Sequence, residues 1–157
     1  MTELATISDI TSWYNAAEGT VYAEGSRPVF GSTQFPWIWA IEDAATQQHR
    51  MGLFHDDPAS DKVFPVSRVN SVSVVGISAA AAVITPGVVF KAALAYKLDD
   101  YGFAMTGGAP GTDTSAGVPT VDRMRIGSGD SVWNGHVRRI RVYRSRLTNA
   151  KLQEITA

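Results

Sequence analysis

The chain has 157 residues, 45% of them hydrophobic and 18% charged, with a formal net charge of −1 and no cysteine. This length and composition suit one globular domain, residues 1–157, with a sizeable core. They exclude a disulfide framework, a thiolate zinc site and a cysteine nucleophile, and the near-neutral charge argues against a nucleic-acid binder.

The start, MTELATISD, lacks a basic segment followed by an apolar run, so no secretory signal is expected. Asp9 to Asn15 reads as a first strand, Ala16 to Gly19 as a turn and Thr20 to Glu24 as a second strand, with Val21 and Ala23 opposite Thr20, Tyr22 and Glu24. Arg27 to Phe35 is a Pro/Gly/Ser loop. Phe35, Trp37, Trp39 and Ile41 then alternate with Pro36, Ile38 and Ala40, which predicts an aromatic row on one strand face. Pro36 fits only the start of that strand or an edge. Such a row is either core between two sheets or, where exposed, a platform on which a sugar ring stacks; Trp37 and Trp39 are therefore candidate ligand contacts.

His49 to His55 is a further strand. Two histidines followed by Asp56 and Asp57 match no metal-ligand spacing and read as a solvated loop rim. Val66 to Ile77 alternates as one strand. Val83 to Leu98 is the longest apolar stretch, but Thr85–Pro86–Gly87 and Lys91 interrupt it, so it is no membrane span. Its second part, from Val88, carries the longest period-two run and predicts a central strand of a half-buried sheet. Tyr101 to Met105 follows as another strand, then a loop over 109–120 rich in small polar residues. Loops on a rigid sandwich are common binding elements, which makes Asp113 a candidate, and Tyr101 is a candidate as an aromatic platform for a sugar ring.

The closing segment contains strands at 124–127 and 137–144 around an Asn134–Gly135 turn signal, and a short helix over 149–155 capped by Thr148. Leu147 and Leu152 are placed as a hydrophobic staple. Trp133 and Asn134, in the turn-rich part, are candidate ligand contacts. Arg139 and Arg141, with Arg138 and Arg144, form a basic row that reads as a solvated face or a contact to an acidic neighbour. Residues 1–61 hold nine acids and two bases, whereas 122–157 hold eight bases and three acids. This asymmetry predicts that the two ends of the chain lie side by side. About ten to twelve short strands with one terminal helix predict an all-β, two-sheet antiparallel sandwich.

Two runs carry a family resemblance. SWYNAAEGT near the start, and IGSG with WNGHVRRIRVYRSRLTNAKLQEIT at the end, resemble the opening hairpin and closing motif of laminin-G-like, concanavalin-A-like jelly-roll domains in bacteriophage tail and virion proteins. The matching residues at the end are Gly135, Val137, Ile140, Val142, Tyr143, Arg146, Leu147, Thr148, Ala150, Leu152 and Gln153. Asp113, Thr114, Pro119 and Thr120 match a passage preceding the Arg123–Ile126 run. The resemblance implies a jelly roll located in the virion. It further implies a module binding host-surface carbohydrate, or alternatively a structural or decorating module, with other virion proteins and further copies of itself as partners. Calcium is the one cofactor that some relatives of this kind hold. Catalysis is not expected, because no paired-carboxylate motif of the glycosidase type and no nucleophile elbow is present.

Overall fold

The computed structural model describes residues 5–28, 35–56, 60–77, 80–127 and 131–157. Residues 128–130, most of the 27–35 loop, and Asp57 lie outside them.

The described residues form eleven strands and one helix. In chain order these are β1 (Ala5–Ile7), β2 (Glu18–Ser26), β3 (Trp37–Glu42), β4 (Arg50–Asp56), β5 (Lys62–Val69), β6 (Val72–Ser73), β7 (Phe90–Lys97), β8 (Tyr101–Met105), β9 (Gly111–Asp113), β10 (Arg123–Ile126), β11 (His136–Tyr143) and α1 (Asn149–Thr156). They build two antiparallel sheets, one ordered β1-β10-β3-β4-β5-β6 and the other β11-β2-β7-β8-β9. This is the expected jelly-roll sandwich with a short C-terminal helix. Its two ends do meet, β1 on β10 and β2 on β11. Glu42 of the acidic first part is fully buried and takes Arg123 Nη2 at 2.6 Å and Arg125 Nη2 at 2.8 Å, both from the basic last part.

The main core lies between the sheets and includes Val21, Ile38, Trp39, Ile41, Leu53, Leu94, Phe103 and Trp133. Alternating apolar positions on facing strands supply it, as sandwich packing requires.

Several local expectations fail for identifiable reasons. Asp9 to Asn15 is a turn and not a strand: Tyr14 N donates to the Ile10 carbonyl at 2.7 Å, and Asp9 Oδ1 accepts from Thr11 N at 3.0 Å. The short carboxylate offers the backbone a local partner that competes with ladder pairing. The predicted strand 66–77 is broken by a hairpin, because Asn70 and Ser71 both take positive φ (51° and 65°) between β5 and β6. The aromatic row of β3 is split by a register shift between Trp37 and Trp39, so Trp39 and Ile41 face the core while Trp37 packs with Ala40 and Val66 on the outside of its sheet. His55 is buried and not on a solvated rim; its Nδ1 lies 2.9 Å from Arg27 Nη1. The 109–120 loop contains the edge strand β9.

β7 is central, as expected, yet it is buried on both faces because α1 covers one of them. Leu152 packs there with Tyr22, Ala93, Ala95 and Ala104. Gly102 lies directly below the helix, where a Cβ would stand 3.0 Å from Leu152 Cδ1 and Asn149 Oδ1. The small residues on β7 and β8 thus set how closely α1 approaches. Thr148 caps it, its hydroxyl accepting from Lys151 N at 3.3 Å.

Candidate functional site

The part of the five-stranded sheet's outer face that α1 leaves open lies over β2 and β11. Register places its residues in rows: Arg139 opposite Glu24 and Glu24 opposite Lys91, then Arg141 opposite Tyr22, then Tyr143 opposite Thr20. A β-bulge makes the arginine row possible. The register shifts between Val137 and Arg139, so Val137 turns toward the core with Ile140 and Val142 while Arg139 and Arg141 turn outward. The result is a groove of about 430 Å³ lined by Tyr22, Glu24, Lys91, Arg139, Arg141, Tyr143 and Ile155, a size that takes a sugar or similar small ligand.

Its chemistry is divided. Arg139 and Arg141 are exposed and form no hydrogen bond or ion pair with another described residue. Two planar guanidinium groups held on one strand face make a receptor for a carboxylate, which they can engage through parallel N–H bonds. Below them the Tyr22 hydroxyl donates to Glu24 Oε2 at 3.2 Å. Burial pushes the Tyr22 phenol up to about 12, and the Glu24 charge adds to this while the two arginines oppose it. Tyr22 is therefore neutral at physiological pH and Glu24 is an acceptor for hydroxyl or amide N–H groups. Tyr143 and Ile155 pack against the helix cluster and supply an apolar wall. Lys91 stands at the far side, its ammonium donating to the Ala157 carbonyl.

The residues singled out from the sequence lie elsewhere. Trp133 is 1% exposed, edge-on to Phe90 at 5.9 Å and beneath the Arg27 guanidinium at 5.6 Å. Trp39 is fully buried in the core, and Trp37, 2% exposed, lies under Arg50 at 5.3 Å and beside Phe54. Tyr101 is fully buried and donates to the Gly117 carbonyl at 2.9 Å, holding the 109–120 loop from below. None of the four rings has a face open for stacking. Asp113 is engaged locally: it accepts from Gly76 N at 2.8 Å and from Ser115 N at 2.9 Å, bonds that hold its carboxyl below the usual range. Asn134 is exposed but outside the groove. Among the described residues no group of three or more His, Asp or Glu side chains is placed to hold a metal ion.

Both halves of the groove are visible in the sequence, though nothing local joins them. Alternation puts Tyr22 and Glu24 on one face of their strand, and Arg139 and Arg141 on one face of theirs. The groove exists only through the pairing of strands more than a hundred residues apart.

No protein-family model and no curated protein matches the chain. Among solved structures, it is similar to the CBM40 carbohydrate-binding module of the Ruminococcus gnavus IT-sialidase, at TM-score 0.71 and 16% identity over 91% of this chain and 84% of that one. The same module is known bound to α2,3-sialyllactose, matching at TM-score 0.70 over the same shares. The Trypanosoma rangeli sialidase matches at TM-score 0.64 and 13% identity, over 90% of this chain and 23% of that one. A heptameric SAP-like pentraxin from Limulus polyphemus matches at TM-score 0.65 and 13% identity, over 90% and 70%.

At such identities the likeness is one of fold. It overturns the expected assignment to bacteriophage tails or virions, together with the virion proteins expected as partners and the virion as location. These matches are domains of sialidases and a pentraxin. The motif residues behind that assignment have another explanation: Leu152 and Tyr143 dock the helix, and Arg146 pairs with Asp100 at 2.8 Å. They close a sandwich whatever the setting.

Proposed function

We propose that the domain is a lectin module that binds an acidic sugar of the sialic-acid class in the groove over β2 and β11. The observation that carries this reading is the exposed pair Arg139 and Arg141, unpaired among the described residues, above the Tyr22–Glu24 hydrogen bond. A sugar carboxylate satisfies the guanidinium pair. Glu24 takes a hydroxyl or amide N–H of the same ring, and Tyr143 with Ile155 covers its apolar side. The similar CBM40 fold bound to sialyllactose supports the ligand class. Titration of the chain with sialyllactose and with lactose tests the reading: binding of the first and not the second is expected, and equal affinity for both would refute it.

A further inference from the structure

The outer face of the six-stranded sheet, on the far side of the sandwich from the groove, carries one row across β10, β3, β4, β5 and β6. It reads Arg123, Glu42, Arg50, Arg68, Ser73, with Arg50 directly opposite Arg68. Like charges so placed repel. The rest of the row is held in place. Glu42 is engaged by Arg123 and Arg125, while Arg50 Nε donates to the Gln47 carbonyl at 3.2 Å and its guanidinium lies over Trp37. Arg68 is half-buried, and its Nε is enclosed with no hydrogen-bond partner among the described residues. A buried donor without an acceptor is uncommon in a folded protein and points to a group that supplies one.

A cleft of about 250 Å³ opens beside this side chain, with Phe54, Phe64, Val66, Ser73 and Val75 in its walls. Its origin lies in the edge of β5. Val74 N donates to the Ser67 carbonyl just after β6, and the edge is covered again where Val63 N donates to the Ala82 carbonyl. Between them stands Pro65, which has no N–H to offer a neighbouring strand. The chain after β6 therefore leaves the sheet, and Gly76 N turns to Asp113 Oδ2 at 2.8 Å. Phe54 and Phe64, stacked at 5.8 Å, form an apolar wall. The volume is below the ~300 Å³ at which pockets for drug-sized ligands begin, and suits one ring with a short chain.

We infer that this cleft binds a small carboxylate with an apolar, ring-sized body. Arg68 and the Ser73 hydroxyl hold the carboxylate oxygens, and Phe54, Phe64, Val66 and Val75 enclose the body. A carboxylate matches the planar guanidinium, gives Arg68 Nε its acceptor and offsets the Arg50–Arg68 repulsion. The site is separate from the acidic-sugar groove: it lies on the other sheet, and its walls offer few partners to the hydroxyls of a sugar.

Backbone amide shifts, followed by NMR during titration with 3-phenylpropanoate, 3-phenylpropan-1-ol and acetate, test this. Saturable shifts are expected with 3-phenylpropanoate at Phe64, Val66, Arg68, Ser73 and Val75. The alcohol should bind at least about ten-fold more weakly, as loss of a charge-assisted hydrogen bond implies, and acetate, which lacks the apolar body, should also bind more weakly. In Arg68→Gln, its fold checked by thermal melting, 3-phenylpropanoate should bind no better than the alcohol. Absence of saturable shifts in the cleft, equal affinity for acid and alcohol, unchanged affinity in Arg68→Gln, or shifts centred on β2 and β11 would each overturn the site. The acidic-sugar reading, tested with sialyllactose, stands or falls independently.

Discussion

Replacing Trp133 with alanine separates a core residue from a ligand contact. The indole is 1% exposed and fills space between Phe90, His55 and Arg27, and Gly135 has no Cβ because one would stand 2.7 Å from Trp133 Nε1. Truncating a buried tryptophan costs about 3–5 kcal/mol through lost transfer energy and the cavity left behind. Loss of the contact with the Arg27 guanidinium adds about 1 kcal/mol. Against a total stability on the order of 5–15 kcal/mol, this is a large share. With a urea slope of about 2 kcal/mol per molar, a combined loss of about 5 kcal/mol lowers the midpoint by about 2.5 M, read by far-ultraviolet circular dichroism. Trp133→Phe, which keeps a ring in the site, should lose less. A folded Trp133→Ala protein with an unchanged midpoint and abolished glycan binding would refute the core assignment.

Two further outcomes follow from the ion pairs and capped turns. Glu42→Ala leaves Arg123 and Arg125 without the fully buried carboxylate that both engage, and a loss of about 3–5 kcal/mol is expected in chemical denaturation; a loss under 1 kcal/mol would show that the cluster is not structural. Asp43 is held below its ordinary value although burial raises it, because His49 N, Thr46 N, the Thr46 hydroxyl and Gln47 N all donate to its carboxylate. A carboxyl depressed in the folded state contributes stability that is present above the ordinary value of 3.8 and is lost as pH falls from there through the folded-state value. Thermal melts of Asp43→Asn should accordingly fall less steeply than wild type below about pH 4, and parallel acid limbs would show that the turn contributes nothing.

The architecture was readable because period-two alternation and turn residues are local signals. Strand β8, the Thr148 cap and the helix followed directly from them. The places where reading failed are those where one residue changes the face of a strand. The shift between Trp37 and Trp39 sends two tryptophans to opposite sides, and the Asn70–Ser71 turn hides a hairpin within an apolar run. Aromatic side chains drew attention as sugar platforms, yet their large area is what the core needs most. The arginines of β11, by contrast, had no local mark of function. Their significance comes from the β2 strand beside them and from α1 stopping short of that part of the sheet, both consequences of long-range pairing.

The acidic-sugar reading is tested most directly by titrating the wild-type chain and its Arg141→Ala variant with sialyllactose, and both with lactose, at neutral pH. The account predicts saturable binding of sialyllactose by wild type and none of lactose. For the variant it predicts an affinity at least about ten-fold lower, as loss of a charge-assisted hydrogen bond of about 1.5–3 kcal/mol implies. Binding of sialyllactose that is unchanged in a folded Arg141→Ala protein would contradict it.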